Sequence, residues 1–332
     1  MMPVQQYGRI VICGGGCYGG YYVRQLARAR AAGALQCREI VVVDRDPDCR
    51  VARLVHAIET GDAVATAQHG WRLYPAAASE DASPAQPAAE RLAAMPGDAA
   101  AYHDLPIRFV SADWDSFFAR MFAAALDTAL DTARHDAYDG HDAHDTRRDA
   151  VVPSPLMPHL LAHWVAARMA AHRPGAVVRQ VPVSSAPETP WRRTAPDAAH
   201  YASFATWMCP INCIEPPRCP ETRGPREWTM PAAVRLAAGA AAAAGAPYDV
   251  LAIFHTTHRV YGVGMFDVAD AIATDAAIVA AHERASLRVM VASVSHCHGA
   301  LAELLAEAIT HHVAPDERRE PAWRHDAAGL LL

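Results

Sequence analysis

Three cysteines fall within eleven positions in the second half of the chain: Cys209, Cys213 and Cys219. The segment 209–220 also contains four prolines, which fix φ and remove backbone donors, so we predict a stiff loop rather than a helix or a central strand. Such a loop could present thiolates to a soft metal or an iron–sulfur cluster. The spacing C-x3-C-x5-C matches neither the usual zinc pairs nor the ferredoxin run. Packed thiols and redox-active thiols therefore stay as alternatives.

A four-coordinate site needs one more ligand, and Cys297 is the best distant candidate. It follows a predicted buried strand, Leu287–Val294, and precedes a predicted helix, His298–Ile309. Proteins of the α/β class place their ligands at the carboxyl ends of strands. His296 or His298 could replace Cys297. The sequence thus predicts an iron–sulfur cluster or a zinc ion on four metal ligands: Cys209, Cys213, Cys219 and Cys297.

His298 and His255 are the candidate proton-transfer groups, because an unperturbed imidazole titrates near neutral pH. His255 follows a second predicted buried strand, Tyr248–Phe254, so the two histidines are expected at the same edge of one sheet. Glu215 lies between Cys213 and two prolines, and we interpret it as a surface or salt-bridged carboxylate.

The chain opens with a glycine-rich turn that fits G-x-G-x-x-G through Gly14, Gly16 and Gly19. The turn follows a predicted strand, residues 9–13, and opens a predicted helix. Glycines there let backbone amides approach a pyrophosphate at the helix N-terminus, and an acid after the next strand can bind the ribose hydroxyls. The candidate cofactor-binding residues are Gly14, Gly16, Cys17, Tyr18, Gly19 and Asp44.

The expected cofactor is NAD(H) or NADP(H). Asp44 favours NAD, because a carboxylate repels a 2′-phosphate, whereas the neighbouring Arg45 weakens that preference. S-adenosylmethionine, FAD or an empty pocket are the alternatives for a domain of this type.

Composition excludes several functions. All 30 basic residues are arginine, so Schiff-base chemistry, lysine-bound pyridoxal phosphate and a P-loop lysine are ruled out. The net charge of −6 and the absence of a broad basic patch disfavour nucleic acid and anionic membranes as partners. We expect a small-molecule substrate that the sequence does not identify, and a homo-oligomer is compatible with the composition.

The segment Met1–Gly8 lacks the charged and apolar regions of a signal peptide, and the longest apolar run, Leu236–Pro247, is too short to span a bilayer. We therefore expect a cytoplasmic protein. In that compartment its eight cysteines are more often ligands, reactive thiols or core fillers than disulfides.

Alternation of predicted strands and helices indicates an α/β fold. We expect an N-terminal doubly wound Rossmann-like parallel sheet over residues 1–175 and a smaller C-terminal α/β domain with the cysteine-rich loop over residues 176–332. A short third strand is predicted at Asp62–Ala67. Thr229 is predicted to cap a helix that begins near Pro231.

Two resemblances follow from these motifs. The glycine turn and Val41-Val42-Val43-Asp44-Arg45-Asp46-Pro47 resemble the NAD-binding domains of Trk/RCK-type potassium-transport regulators. Most of the chain also resembles an uncharacterised bacterial group of Rossmann-fold NAD(P)-binding proteins that carry C-P-x2-C-x-E-P-x2-C and a late C-H-G turn, here Cys209–Cys219 and Cys297-His298-Gly299. The segment Pro75–Pro106 departs from both. The resemblances imply a nucleotide-binding fold and no particular activity.

From these features we expect an NAD(P)-dependent oxidoreductase with a cysteine-ligated metal or iron–sulfur centre. The alternative is a non-catalytic nucleotide- or redox-sensing regulatory protein in which the cysteines form a structural site.

Overall fold

The computed structural model describes residues 4–72, 101–102, 104–135, 149–154, 159–205 and 213–308. Its helices are α1 (Cys17–Ala31), α2 (Arg50–Glu59), α3 (Ala63–Arg72), α4 (Trp114–His135), α5 (Leu160–His172), α6 (Met230–Ala243) and α7 (Val268–Ala280). Its strands are β1 (Gln5–Cys13), β2 (Leu35–Asp44), β3 (Ile107–Ser111), β4 (Ala150–Val152), β5 (Ala176–Val181), β6 (Trp191–Thr194), β7 (His200–Ser203), β8 (Val250–His255), β9 (Thr257–Val260), β10 (Val263–Asp267), β11 (Ser286–Val294) and β12 (His298–Ala308).

The strands form two six-stranded sheets. The first has the order β3-β2-β1-β4-β10-β9, in which β3, β2, β1 and β4 are parallel and β10 is antiparallel to β4. The second has the order β6-β7-β12-β11-β8, with β5 also paired to β12. Only β8 and β11 are parallel to each other among the described pairs of this second sheet. The α/β class expected from the sequence is confirmed.

Three apolar cores arrange the helices in layers around these sheets. Helices α1 and α2 pack on one face of the first sheet through residues such as Leu26 and Leu54. Helices α4, α5 and α7 fill the space between the sheets, where Phe122 and Val165 share a core with strands of both. Helix α6 covers the outer face of the second sheet through Val234. Strand β1 is buried over Ile10–Cys13 and strand β2 over Ile40–Val43, as expected for parallel strands in a sheet that is covered on both faces.

The second half of the chain contributes to both sheets. From β8 the chain passes directly into the β9–β10 hairpin, which completes the first sheet, and then returns through α7 to β11. The division at residue 175 stays a prediction. None of the helices in the described ranges is long and apolar enough to cross a membrane.

Two local predictions are wrong. The segment Asp62–Ala67 is not a strand but the start of α3, whose Ala65 amide donates to the Asp62 carboxylate at 2.9 Å, a helix-capping contact. The segment from His298 is not a helix but β12. Its Ala- and Leu-rich composition favours a helix, yet β12 pairs with β11 along one side and with β5 and β7 along the other, and this tertiary context outweighs propensity.

The predicted cap of α6 is confirmed. The Thr229 hydroxyl accepts a hydrogen bond from the Ala232 amide at 3.2 Å, and Pro231 occupies the first turn, where its missing N–H has no cost.

A buried ion pair on β12 leads to a stability prediction. The Glu303 carboxylate, 6% exposed, contacts Arg288 at 2.7 Å and accepts hydrogen bonds from Ser184 and from the Tyr248 hydroxyl. Burial alone would raise the pKa of Glu303, but the Arg288 guanidinium and these donors outweigh it and lower the pKa. Glu303→Gln leaves the Arg288 charge without its carboxylate, although Arg288 keeps hydrogen bonds to the Ala246 carbonyl and the Ser184 hydroxyl. We therefore expect the free energy of unfolding to fall by about 3 kcal/mol at pH 7, the low end for a broken buried pair.

The sign of the pH dependence follows from the lowered pKa. The carboxylate contributes its stability above the pKa of an unfolded glutamate, and this stability is lost as the pH falls through the lower folded pKa. The difference between wild type and Glu303→Gln should therefore shrink in urea titrations below pH ~4. Glu307→Gln on the same strand breaks only an exposed pair with Arg179 and should cost less than about 1 kcal/mol. Equal losses for the two variants would contradict this account.

Candidate functional site

The candidate site lies at the carboxyl ends of β8 and β11. These two strands are parallel, so the residues that follow them share one edge of the second sheet. The turn 295–297 joins β11 to β12, and the loop 213–229 is tied to it by two hydrogen bonds. The Met230 amide donates to the His296 carbonyl at 2.8 Å, and the His296 amide donates to the Glu215 carboxylate at 3.0 Å. The predicted cysteine loop is thus attached to the turn that carries Cys297.

Cys219 occupies a tight loop that favours its thiolate. The Cys219 amide donates to the Gly224 carbonyl and the Arg223 amide donates to the Cys219 carbonyl, each at 2.9 Å. The residue is 1% exposed. Desolvation would raise the pKa of its thiol, but hydrogen bonds from the amide and hydroxyl of Thr222 and from the Glu221 amide outweigh it and lower the pKa. A sulfur that accepts amide hydrogen bonds is a good metal ligand or nucleophile.

Arg226 places a positive charge with buried nitrogens beside Cys219. Its Nε, Nη1 and Nη2 atoms are all buried, and within the described part of the chain none makes a well-formed hydrogen bond. Burial would lower the pKa of Arg226, but the negative charges of Cys297, Cys219 and Cys213 outweigh it and raise the pKa. The Cys219 sulfur is close enough to accept a hydrogen bond from the guanidinium.

Three of the four predicted metal ligands therefore act electrostatically on one guanidinium. Cys297 is fully buried and Cys213 is partly buried, and neither of them, nor Cys219, forms a disulfide with another described residue. Cys209 lies outside the described residues. Within the described ranges, no three His, Cys, Asp or Glu side chains are placed to hold a single metal ion. In a [4Fe–4S] cluster each cysteine binds a separate iron, whereas in a [2Fe–2S] cluster two cysteines bind the same iron.

The two predicted proton-transfer histidines occupy different surroundings. The His255 Nε2 atom is buried and has no hydrogen-bond partner within the described residues. Burial lowers the pKa of His255, against the opposing charge of Glu215, so the ring is neutral at pH 7. His298 begins β12 instead of a helix, and its Nδ1 atom lies 3.4 Å from the Ser295 hydroxyl. Both histidines nevertheless lie at the predicted edge of the sheet.

Glu215 and His258 form a pair beside these histidines. The Glu215 carboxylate, 13% exposed, lies 3.8 Å from the His258 Nε2 atom, while His258 Nδ1 lies 2.6 Å from the Gly262 carbonyl oxygen. Glu215 also has a φ of +52°, a left-handed conformation that costs a non-glycine residue energy. The interpretation of Glu215 as a salt-bridged rather than a fully exposed carboxylate fits this geometry. His258 enters the site through the β9–β10 hairpin, a pairing that no local pattern predicts.

The glycine turn lies at the carboxyl end of β1. Gly14 has a φ of +92°, and a Cβ on Gly19 would lie 1.7 Å from the Gly14 carbonyl oxygen, so α1 crosses the turn in direct backbone contact. A Cβ on Gly16 would meet nothing within 4 Å. Cys17, which is exposed, and Tyr18 form the first turn of α1. The turn leaves an open approach to the N-terminus of this helix.

Asp44 is engaged within the protein. Its Oδ2 accepts a hydrogen bond from the Gly15 amide at 2.7 Å and its Oδ1 accepts one from the Asp46 amide at 3.0 Å. The Gly15 carbonyl accepts from the Val51 amide of α2 at 3.1 Å. Trp114 packs beside Gly14 and donates its indole N–H to the Val43 carbonyl. Asp44 therefore holds the glycine turn in place.

A series of contacts runs from the glycine turn to the turn that carries Cys297. Asp115, next to Trp114, contacts His163 of α5. His159, just before α5, contacts Tyr201 of β7. The residue that follows β7 is hydrogen-bonded to the turn that carries Cys297. The distances are 3.6 Å for Asp115–His163, 2.5 Å for His159–Tyr201 and 2.9 Å from the Phe204 amide to the Cys297 carbonyl. The two candidate sites thus belong to one continuous packed region.

Comparison with known proteins gives one match. The model of a family described as "Uncharacterized protein, C-terminal domain" matches residues 161–307, which extend from α5 into β12. The searches of curated proteins and of solved structures found no match. The matched span contains the second sheet and all four cysteines proposed as ligands, whereas the glycine turn lies outside it.

Proposed function

We propose that this protein is an NAD(P)-dependent oxidoreductase with a cysteine-ligated metal or iron–sulfur centre, located in the cytoplasm. The observation that carries the proposal is the Arg226 guanidinium, whose three nitrogens are buried in the loop that carries Cys219 and whose pKa is raised by Cys297, Cys219 and Cys213. A buried cation without a counter-charge costs several kcal/mol. Thiolates bound to iron or zinc supply that negative charge, because four thiolates outweigh the charge of a divalent ion.

The donor set suits a soft metal. Cys213, Cys219 and Cys297 would hold it, with Cys209 still predicted as the fourth ligand. When bound, the centre supplies electron transfer if it is an iron–sulfur cluster, or Lewis-acid chemistry if it is zinc.

The remaining roles follow from the geometry of the chain's own residues. Gly14, Gly16 and Gly19 let the start of α1 approach a pyrophosphate, with Cys17 and Tyr18 providing amides and Asp44 facing the ribose. His298 or His255 would hold and move a proton at the edge of the second sheet. A neutral His255 ring, whose Nε2 has no described partner, suits a proton acceptor.

Metal and sulfide analysis of anaerobically purified protein tests the proposal. Iron together with acid-labile sulfide and a broad visible absorption is the expected result. Stoichiometric zinc without colour would retain the cysteine site and point to Lewis-acid or structural use. Protein free of any metal, with every thiol open to titration, would contradict the proposal.

The alternative, a non-catalytic nucleotide- or redox-sensing regulatory protein, is favoured by one observation. Asp44 holds the Gly15 amide and so links the ribose position to the shape of the glycine turn, as a sensor of bound nucleotide requires. Stoichiometric binding of NAD(H) with no hydride transfer to any acceptor would support this role.

The nucleotide half of the proposal has its own prediction. Gly16→Ala adds a methyl group that meets nothing in the protein but points into the space reserved for the pyrophosphate. We expect the thermal midpoint to be retained while the Kd for NADH or NADPH rises about tenfold, equivalent to ~1.4 kcal/mol. Quenching of tryptophan fluorescence measures the binding, since Trp114 lies beside Gly14.

Gly239→Ala is the matched control, because Gly239 is exposed in α6 and a Cβ there also meets nothing. Its nucleotide affinity should equal that of the wild type. Unchanged affinity in Gly16→Ala would place the nucleotide elsewhere or remove it from the account.

A further inference from the structure

A polar cavity of about 730 Å³ lies at the amino ends of β1 and β2, on the opposite edge of the first sheet from the glycine turn. Its volume is within the range of small-molecule sites, roughly 300–1,000 Å³. We propose that it binds a phosphate monoester that also carries hydroxyl groups, the chemistry of a sugar phosphate. The inference does not rest on the proposed function, because none of the residues assigned to the nucleotide or to the cysteine centre lines this cavity.

Small side chains on α4 leave the space for the cavity. Phe118 and Phe122 of this helix are buried in the core between the two sheets. Further along the same helix, Ala124 and Ala125 line the cavity. These side chains are too short to close the gap to β1, where Gly8 adds no side chain at all. The helix and the strands therefore stay apart at this end of the sheet.

Gly8 also lets two charged groups approach the strand. A Cβ at this position would lie 2.7 Å from Asp149 Oδ1 and 4.0 Å from Arg38 Nη2, so a carboxylate and a guanidinium share the space over the glycine. Asp149 Oδ1 accepts a hydrogen bond from the Arg9 amide at 2.7 Å, whereas Oδ2 makes none within the described part of the chain. An ionised carboxylate only accepts hydrogen bonds, so Oδ2 suits a hydroxyl of the ligand.

The lining carries more positive than negative charge. Its charged side chains are three guanidinium groups and one carboxylate: Arg9, Arg30, Arg38 and Asp149. Glu39 pairs with Arg9 at 3.1 Å, but the same carboxylate also pairs with Arg108 at 2.7 Å. Positive charge therefore stays in excess when both of these neighbours are counted. A phosphate monoester, with a charge of about −2 near pH 7, offsets such an excess better than a singly charged carboxylate does.

Arg30, in the last turn of α1, is the best placed of the three arginines to bind the phosphate. Its Nη1 donates to the Cys37 carbonyl at 3.2 Å and its Nη2 to the Asp104 carbonyl at 3.3 Å. These neutral acceptors orient the guanidinium, while no carboxylate pairs with it among the described residues. Two of its five N–H groups are used in this way, and guanidinium groups bind phosphate through paired N–H···O bonds. An anion in the cavity thus meets a positive charge that is already oriented.

Calorimetric titration of the full-length protein tests the proposal, with inorganic phosphate and glucose 6-phosphate as the two probes. Both should bind, and glucose 6-phosphate more tightly, because its hydroxyls add the contact with Asp149. Arg30→Gln removes the charge and should raise the Kd of both probes by about tenfold. Arg28→Gln is the matched control, because Arg28 is exposed on the same helix and does not line the cavity, so its Kd values should equal those of the wild type.

A second pair of variants changes no charge. Ala124→Leu fills the cavity from α4, and since Ala124 is exposed, the thermal midpoint should be retained while the affinity for both probes is lost. Ala123→Leu, at the neighbouring exposed position outside the cavity, should bind both probes as the wild type does. If Arg30→Gln does not fold, this pair decides.

Four results would count against the inference. Wild-type protein that binds neither probe would overturn it, as would affinities that Arg30→Gln and Ala124→Leu leave unchanged. Binding lost in Gly16→Ala but retained in Ala124→Leu would place the phosphate at the glycine turn and also overturn it. Equal affinities for the two probes would overturn the contact with Asp149. The metal analysis tests the cysteine centre separately, so failure here leaves the proposed function standing.

Discussion

Gly19→Ala is expected to destabilise the protein by more than about 4 kcal/mol, which would leave much of it unfolded or insoluble. A Cβ at this position would lie 1.7 Å from the Gly14 carbonyl oxygen and 2.8 Å from its carbonyl carbon. Both atoms belong to the backbone, so no side chain can rotate away to make room. Relief requires α1 to move off β1, which would open the core that contains Ile12 and Leu26. Urea unfolding followed by circular dichroism measures the loss.

Two glycines provide the controls for this prediction. Gly16→Ala lies in the same turn, but its methyl group meets nothing within 4 Å, so stability should be retained. Gly239→Ala lies in the exposed middle of α6 and should raise stability by up to about 1 kcal/mol, because alanine favours helices. A Gly19→Ala variant as stable as the wild type would mean that α1 does not cross the glycine turn in contact with Gly14.

Cys219→Ser is expected to weaken metal binding at the proposed cysteine centre while keeping the fold. Serine has nearly the same size, so the loop closed by the Cys219–Gly224 hydrogen bond should persist. Its hydroxyl is a harder and less acidic ligand than a thiol, so a soft metal loses one bond. We expect metal affinity to fall by roughly tenfold or more, since even the loss of an outer hydrogen-bond partner has that effect. Iron and sulfide per chain, with the visible absorption, provide the measurement.

Cys37→Ser is the matched control for the loss of a thiol. Cys37 lies on β2 in the first sheet, and burial raises the pKa of its thiol, so it should remain a protonated side chain with no ligand role. Its iron content should equal that of the wild type. If Cys219→Ser retains the wild-type iron, sulfide and spectrum, Cys219 is no ligand and the centre lies elsewhere.

Local signals in the sequence predicted the parts of the fold that depend on local physics. The glycine turn follows β1 because only glycine tolerates the φ of Gly14 and the backbone contact at Gly19. Thr229 caps α6 because its hydroxyl satisfies a free amide. Continuous apolar runs such as Ile40–Val43 indicated buried parallel strands correctly.

Tertiary pairing decided what the sequence could not predict. The Ala-Glu-Leu-Leu-Ala stretch of β12 has the composition of a helix. It forms a strand because β12 pairs with β11 on one side and with β5 and β7 on the other. Likewise, the Asp62 carboxylate caps the start of α3. The alternating small apolar residues that follow Asp62 resemble a strand and hide this capping signal. In both cases composition alone carried too little information to choose between helix and strand.

The same limit applies to the candidate site. The expectation that His255 and Cys297 lie at strand ends needed only the order of the elements, and both lie there even though β12 replaced the helix. Nothing in the sequence indicated that the Arg226 side chain is buried. Every basic residue of this chain is an arginine, and the residues next to Arg226 do not predict burial. The expectations on Cys209 and on the segment Pro75–Pro106 fall wholly or mainly outside the described residues.

X-ray absorption at the metal edge of anaerobically purified wild-type protein tests the central claim most directly. A centre held by Cys213, Cys219 and Cys297 predicts a first shell of sulfur atoms, with a neighbouring iron in the next shell if the centre is a cluster. A first shell of oxygen and nitrogen atoms would contradict the account, because the metal would then be bound by groups other than these thiols.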